Sequence, residues 1–370
     1  MVLPSLLVLL SACGGSMAAA VARSTTPRAR DGTCTTILQR RAWHTFTDEE
    51  KRAYIDAELC LMAKPATLGL KGTKNRFEEL QWTHQHQSNI VHNVGAFLPY
   101  HRLLMWAHEK LLREECGYQG AQPYWDEARD AGKFSTSDVL DPVTGFGGNG
   151  VGERGCIVDG PFVNFTNSLG PGYRIGEDHC IYRFVNDNIS RQAARSFIDE
   201  CYRHTTFARF WPCAEGSPHS GGHGGVGGKM LDPISSPGDP VFYLHHTWLD
   251  KVWWDWQALD LPARLTDISG RNTPGGGGFG GFPGGGNGTN PGFPWGNGTF
   301  PGGPGGGNPW RNVPFQDMVP PADAPGPEGD PGNVTTLTHI LKMYGVVPDA
   351  TIADVMDVRG SLLCYEYVDA

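Results

Sequence analysis

The sequence predicts a mainly α-helical fold, a four-helix bundle wrapped in long irregular loops with little β structure. Helical periodicity and helix start signals recur in separate segments of the chain. Two clusters of histidines fall on or beside those segments. Eight cysteines remain beyond the N-terminal leader, an even number that can tie the loops together by disulfides. At 370 residues the chain can bury a sizeable core.

The first half of the chain carries signals for three helices. A capping box that begins at Thr47 predicts a helix from about Asp48 to Met62. A second helix is predicted over Arg76 to Gln85. Pro99 suits the first turn of a third helix, because the amide hydrogen that proline lacks has no helical partner there. That helix is predicted to reach about Glu115.

The middle of the chain alternates between irregular and helical patterns. Residues 116–176 are rich in turn formers, and residues 187–202 are predicted to be helical. Pro218 is predicted to start a short helix through His223, which the neighbouring glycines weaken. Pro240 opens the last long helix, which completes the bundle.

The domain organisation is predicted to be a single domain over 23–370 with a flexible Gly/Pro-rich insertion at about 270–332. Of the 41 residues between Gly270 and Trp310, 19 are glycine, too many for a packed core. We interpret this insertion as a surface spacer. After it, Thr336 to Tyr344 is predicted to form a helix and Ser361 to Val368 a short strand.

The N-terminus predicts a secretory protein with a signal peptide at 1–22. Val2 to Ala12 is apolar and small residues follow. A lipoprotein signal ending at Cys13 is disfavoured, because no basic residue precedes the apolar run and five N-glycosylation sequons follow. Those sequons begin at Asn164, Asn188, Asn287, Asn297 and Asn333. The net charge of −9 argues against nucleic acid as a partner, and no apolar run is long enough to span a membrane.

The two histidine clusters point to a pair of metal ions. Their candidate ligands are His84, His92 and His101 in the first cluster, and His219, His223 and His246 in the second. Imidazole is a ligand that copper accepts well, and three plus three imidazoles suit two copper ions. His219 and His223 are four residues apart, so a helix would place both rings on one face.

The spacing alone leaves three choices open: His84 or His86, His101 or His108, and His245 or His246. Residues two apart cannot share a helix face, whereas residues seven apart can. Adjacent helical residues point about 100° apart, so one of the paired histidines is expected to bind metal.

Two segments carry a family resemblance. HNVGAFLPYHRLLMWAHE, from His92 to Glu109, resembles the first copper signature of tyrosinases, catechol oxidases and hemocyanins. DPVFYLHHTWLD, from Asp239 to Asp250, resembles the second. The resemblance extends over about Arg40 to Leu261 and resumes from Thr335. It implies that copper A is bound by His84, His92 and His101, and copper B by His219, His223 and His246.

The resemblance implies an enzyme with two copper ions as cofactor. Its expected reaction is the oxidation of o-diphenols to o-quinones by dioxygen, with monophenols and o-aminophenols as further candidate substrates. The natural substrate is expected to be a phenolic or tyrosine-containing metabolite in pigment or secondary-metabolite biosynthesis. The alternatives are a non-catalytic dioxygen-binding protein and an inactive tyrosinase-like protein.

Two further residues take expected roles from the resemblance. Glu215 matches an acidic residue that orients a water able to accept the phenol proton. Ser220 stands where hydroxylating relatives often carry asparagine, which makes monophenol hydroxylation a weaker expectation than diphenol oxidation. The chain ends soon after Cys364, so we expect no C-terminal shielding domain and no need for proteolytic activation.

Overall fold

The computed structural model of the protein describes residues 1, 34–274 and 315–369. The predicted signal peptide, apart from Met1, and residues 275–314 of the predicted insertion lie outside these ranges. The two ends of that insertion are held together: the Asn272 side chain donates hydrogen bonds to Asp330 and to the Gly332 carbonyl.

Helices dominate the described residues, as the sequence predicts. In chain order they are α1 Asp48–Ala63, α2 Arg76–His86, α3 Ser88–Val91, α4 Phe97–Cys116, α5 Glu127–Asp130, α6 Asp187–Ser190, α7 Arg195–Tyr202, α8 Phe207–Ala214, α9 Ser220–Val226, α10 Val241–Ala258 and α11 Ile352–Val355. A π-helical turn, Glu215–His219, joins α8 to α9.

The bundle is centred on α4, which packs against α1 on one side and α10 on the other, while α2 packs against α1. The α1 helix begins with the predicted capping box, in which Thr47 and Glu50 exchange hydrogen bonds. The α4 helix ends where Gly117 adopts a left-handed conformation with φ 70°. Most of the α4 side chains are buried. The predicted bounds of these long helices are confirmed to within two residues.

The strands are short and form four two-stranded sheets within the described ranges. They are β1 Leu38–Arg40, β2 Gly150–Val151, β3 Cys156–Ile157, β4 Thr166–Leu169, β5 Ile175–Cys180, β6 Ile340–Leu341, β7 Ala350–Thr351 and β8 Tyr365–Tyr367. β1 and β8 pair in parallel, and the other three pairs, β2–β3, β4–β5 and β6–β7, are antiparallel. The predicted C-terminal strand is therefore present as β8.

Four disulfides tie the loops and termini to the bundle: Cys34–Cys364, Cys60–Cys116, Cys156–Cys180 and Cys201–Cys213. They pair all eight cysteines that follow the predicted signal peptide. Disulfides of this kind form in oxidising compartments such as the secretory pathway. No helix in the described part of the chain is both long enough and apolar enough to cross a membrane.

A buried ion network links the two central helices to the terminal sheet. Arg102 of α4 donates to Asp250 of α10 at 2.5 Å. The hydroxyls of Tyr365 and Tyr367 in β8 each donate to the other oxygen of Asp250 at 2.5 Å. Arg40 of β1 stacks over the Tyr365 ring at 3.5 Å. The network therefore fixes α4, α10 and both strands relative to one another.

Three sequence predictions differ from the structure. Residues 187–202 form two helices, because Ala194 is extended between them. Pro218 lies inside the π-helical turn of a helical segment that begins at Phe207, rather than starting a helix. The predicted helix at 336–344 is absent and its centre is β6, because Thr336 and His339 hydrogen-bond to Asp330 instead.

Candidate metal centre

The first histidine cluster stands on two bundle helices and the turn between them. His84 lies in the last turn of α2, His92 directly follows α3, and His101 lies in the second turn of α4. The ring centroids are 5.0 Å apart for His84 and His92, 5.4 Å for His84 and His101, and 5.3 Å for His92 and His101. The three rings therefore surround a common point.

The second cluster stands on the segment after α8 and on α10. His219 ends the π-helical turn, His223 lies in α9, and His246 lies in α10. Ring centroids are 4.5 Å apart for His219 and His223 and 5.2 Å for His223 and His246. The Nε2 atoms of His223 and His246 are 3.2 Å apart. Two imidazoles bound to one ion, each roughly 2 Å from it, have a similar separation.

The two clusters face each other across the contact between α4 and α10. The rings of His101 and His246 stack with centroids 4.2 Å apart and planes 10° apart. Within each cluster the possible ligand atoms all lie within 4.8 Å of one another. Two ions held here would therefore be neighbours, as a site that shares one small ligand requires.

The ring orientations are set by main-chain carbonyls, which fix the tautomer by accepting from Nδ1. The Nδ1 atoms bond to carbonyls as follows: His84 to Ile234 at 3.0 Å, His92 to Ser88 at 3.0 Å, His101 to Phe97 at 2.8 Å, His219 to Glu215 at 3.1 Å and His223 to Met230 at 2.5 Å. Each of these bonds leaves Nε2 as the nitrogen able to bind a metal.

The unpaired ring nitrogens test whether metal ions fit. The Nε2 atoms of His84, His101 and His219 are buried and have no hydrogen-bond partner among the described residues. An unpaired buried nitrogen costs about 1–3 kcal/mol, which a bound ion removes. A donor set made only of imidazoles suits copper. The residues present therefore fit two copper ions.

Burial keeps these imidazoles neutral. It lowers the pKa of His92 to about 4, against an opposing effect of the Ser88 carbonyl. Burial, reinforced by neighbouring histidines, holds the pKa of His101 and of His246 well below the usual value. A neutral imidazole is the form that binds metal, so the site needs no proton release from these rings at neutral pH.

His245, the other member of the histidine pair, also lies in the second cluster. Its Nδ1 forms a 2.7 Å hydrogen bond with Oε1 of Glu127, and both side chains are fully buried. Burial and the nearby Asp130 hold the pKa of Glu127 well above its usual value. Gly222 allows this pair to fit, because a Cβ there would lie 2.4 Å from the Glu127 carboxyl.

The remaining alternatives lie outside both clusters. His86 stacks on Trp82 with ring centroids 4.4 Å apart. His108 is buried between Gln122 and Glu58, with its two ring nitrogens 3.0 Å and 3.1 Å from their side-chain oxygens. The geometry thus brings together the six histidines that the resemblance implied, and His245 with them.

Glu215 contacts residues next to or within both clusters, and Ser220 bonds to its main chain. The main-chain amide of Asn93 donates to Oε1 of Glu215 at 2.7 Å, and Asn93 directly follows His92. Burial raises the pKa of Glu215 to about 8, while the Asn93 amide and the charge of Arg271 oppose that rise. The Ser220 hydroxyl donates to the main-chain carbonyl of Glu215 at 3.2 Å.

One loop supports both clusters; we name residues 230–236 the bridging loop. Its Met230 carbonyl accepts from His223, and its Ile234 carbonyl accepts from His84. The buried Asp232 shapes the loop by accepting from the amides of Ile234 and Ser235 and from Gly172. Each cluster therefore owes the orientation of one histidine to the same loop.

Glu127, Asp232 and Arg271 are not among the residues that the sequence predicts for the site. Asp232 stands three residues before Ser235, a spacing typical of a side-chain-stabilised turn, which is a usable signal. Glu127 is 118 residues from its partner His245 and has no local pattern. Arg271 borders a glycine-rich segment whose composition hides it.

The family model for the common central domain of tyrosinase matches residues 74–259. The tyrosinase-like protein phomQ1 of Diaporthe leptostromiformis is 29% identical over 90% of this chain and 78% of its own length. The tyrosinase ustQ of Aspergillus flavus is 28% identical over 90% of this chain and 80% of its own. A polyphenol oxidase from Thermothelomyces thermophila superposes with a TM-score of 0.70 at 25% identity, covering 90% of this chain and 89% of that one.

Proposed function

The chain belongs to the tyrosinase family of oxidoreductases that bind two copper ions, and from that membership we propose that it oxidises o-diphenols to o-quinones with dioxygen. The observation that carries the proposal is the pair of facing histidine triads with Nε2 atoms aimed inward. O-aminophenols and monophenols are further candidate substrates. The proposed setting is the secretory pathway, in pigment or secondary-metabolite biosynthesis.

Each proposed ligand has a defined task. His84, His92 and His101 would hold copper A, and His219, His223 and His246 would hold copper B. When bound, the two ions supply dioxygen binding and the acceptance of two electrons from the substrate ring. The carbonyls that bond to Nδ1 of five of the six rings keep those rings from turning when a substrate enters, so the site is preorganised.

Glu215 is proposed to handle the phenol proton. A phenol must lose its proton before its oxygen can bind a metal tightly. The Glu215 carboxyl is fixed by the Asn93 amide beside His92 and lies one turn before His219, so it can position a water between the two triads. Ser220 would contribute less, because its hydroxyl is engaged by a main-chain carbonyl. Diphenol oxidation is therefore favoured over monophenol hydroxylation.

The test is copper loading of the purified chain under reducing, anaerobic conditions, followed by oxygen and 4-methylcatechol. We expect two copper ions per chain and steady formation of the o-quinone, measured by its absorbance. The variants His101→Ala and His246→Ala should each lose copper and activity, whereas His86→Ala should keep both. A folded chain with two copper ions that binds dioxygen but converts no o-diphenol or o-aminophenol would contradict the proposal and favour the dioxygen-binding alternative.

A further inference from the structure

The six histidines differ in their exposure to solvent. His84, His101 and His246 are at most 2% exposed, whereas His92 and His219 are 6% and 9% exposed. His223 is also partly exposed. Solvent therefore reaches the clusters most readily at His92, His219 and His223, which is where we expect a substrate to approach.

Arg271 borders that approach. Its Nε donates to the Asn93 carbonyl at 2.7 Å, and Asn93 is the residue after His92. The same Asn93 contributes its amide to Glu215, one turn before His219. The charge of Arg271 is close enough to Glu215 to lower the pKa of that carboxyl in part. The guanidinium thus contacts the residue that follows His92 and lies near Glu215, four residues before His219.

Among the residues that the structure describes, Arg271 has no carboxylate as an ion-pair partner. The side chain is exposed. Residues 275–314, which follow closely in the chain, contain no Asp or Glu. The terminal nitrogens of the guanidinium are therefore available for an anion from solution.

The main chain holds Arg271 in place without help from its side chain. The Arg271 carbonyl accepts from the Gly95 amide at 2.9 Å and from the Thr335 hydroxyl at 3.1 Å. The adjacent Gly270 carbonyl accepts from the Thr335 amide at 2.7 Å. An exposed side chain on a fixed backbone can be replaced without unfolding the protein.

From these contacts we infer that Arg271 is a specificity-determining residue that binds the carboxylate of a phenolic acid while the phenol ring enters between the triads. A planar guanidinium with one nitrogen already anchored presents its remaining donors in a fixed direction, which matches the two oxygens of a carboxylate. The substrate class is an o-diphenol with a carboxylate on a short side chain. The inference rests on the proposed oxidation of o-diphenols.

The experiment compares two substrates that differ in charge and by one methyl group, 3-(3,4-dihydroxyphenyl)propanoate and its methyl ester, with the copper-loaded full chain. We expect the acid to have the lower KM. Arg271→Gln should raise the KM of the acid relative to that of the ester on the order of two- to fivefold, the usual effect of an exposed ion pair, while any effect through Asn93 and Glu215 should be common to both substrates. Arg271→Glu should raise that ratio further, and added salt should reduce the preference of the wild-type chain.

Two controls separate the possible causes. Arg52→Gln removes an exposed arginine from α1 and changes the net charge equally, so it should leave the ratio of the two KM values unchanged. Inhibition by benzoate but not benzamide, weakened in Arg271→Gln, tests carboxylate binding without turnover. Equal KM values for acid and ester in the wild-type chain, or equal changes for both in Arg271→Gln, would overturn the inference and leave the guanidinium a structural brace of Asn93. Failure to oxidise either substrate would instead count against the proposed function.

Discussion

The two histidine triads have the same composition and are built in different ways. The first stands on helices with good formers, such as the buried FLPYHRLLMWAHE stretch of α4. The second depends on α9, whose sequence SGGHGGV contains four glycines and has poor helix propensity. A metal site can thus be supported by local helix stability on one side and by tertiary contacts on the other.

The glycines of α9 allow close packing, which stabilises this helix despite its low helix propensity. A Cβ on Gly221 would lie 2.5 Å from the Ala193 amide, and one on Gly225 would lie 2.7 Å from the Phe134 ring. One on Gly222 would lie 2.3 Å from the His245 ring. Each glycine lets a neighbouring element approach the helix closely. The helix is therefore stabilised by its surroundings, and its histidines are placed by them.

The largest effect is expected when the buried Asp250 network, which joins the helices of both triads, is removed. In Asp250→Ala, Arg102 loses its ion pair, the Tyr365 hydroxyl loses its acceptor, and the Tyr367 hydroxyl keeps the Thr247 carbonyl as an acceptor, so we expect a loss of about 3–5 kcal/mol in the free energy of unfolding. Because Arg102 follows His101 and Asp250 lies one turn after His246, copper binding at both triads should weaken together. Chemical denaturation and copper analysis measure the two effects. Loss of one ion alone would contradict this shared dependence.

A substitution in α9 should affect the second triad and leave the first intact. Gly222→Ala places a methyl group against His245 and Glu127, and we expect overpacking to lower the free energy of unfolding by about 1–3 kcal/mol. Copper B should be lost while copper A is retained, as measured by metal analysis of the dialysed chain. Gly216→Ala is the matched control, because a Cβ there meets no atom within 4 Å. Full copper occupancy in Gly222→Ala would show that α9 accommodates the added methyl group, contrary to the prediction.

The smallest expected effect concerns the bridging loop. Asp232→Asn keeps the size of the side chain but replaces charged acceptors with an amide. We therefore expect the free energy of unfolding to fall by about 1 kcal/mol. The carbonyls of Met230 and Ile234 should then hold His223 and His84 less firmly. A calorimetric titration with copper should show a modest fall in copper affinity at both sites. A fall confined to one site would indicate that the loop serves only one triad.

The sequence predicts the first triad's framework better than the second's. Thr47, Pro99 and Gly117 are local signals, and the helices that they delimit are found nearly where they were predicted. Pro218 gives the same kind of signal and was misleading, because the π-helical turn around it depends on the packing of α8 and α9. Local patterns cannot reveal a helix that distant contacts maintain.

In the candidate site, too, some residues could be predicted from the sequence and others could not. Both clusters and their six implied ligands could be named from spacing and resemblance. The partners that orient them could not, because the carbonyls of Ile234 and Met230 carry no sequence signal. Thr336 to Tyr344 was predicted as helix for a related reason: its side chains hydrogen-bond to Asp330, which periodicity does not register.

The parallel pairing of β1 with β8 imposes an order of events on synthesis. Gln39 of β1 lies beside Glu366, 327 residues downstream. The ribosome therefore releases α1, α4 and α10 before the strand that supplies Tyr365 and Tyr367 to Asp250 has been made. Until then Arg40 and Arg102 face a carboxylate that lacks its two phenolic donors. The centre of the bundle is therefore completed only after β8 has been made, so closure around the metal pair comes later than the synthesis of the three long helices.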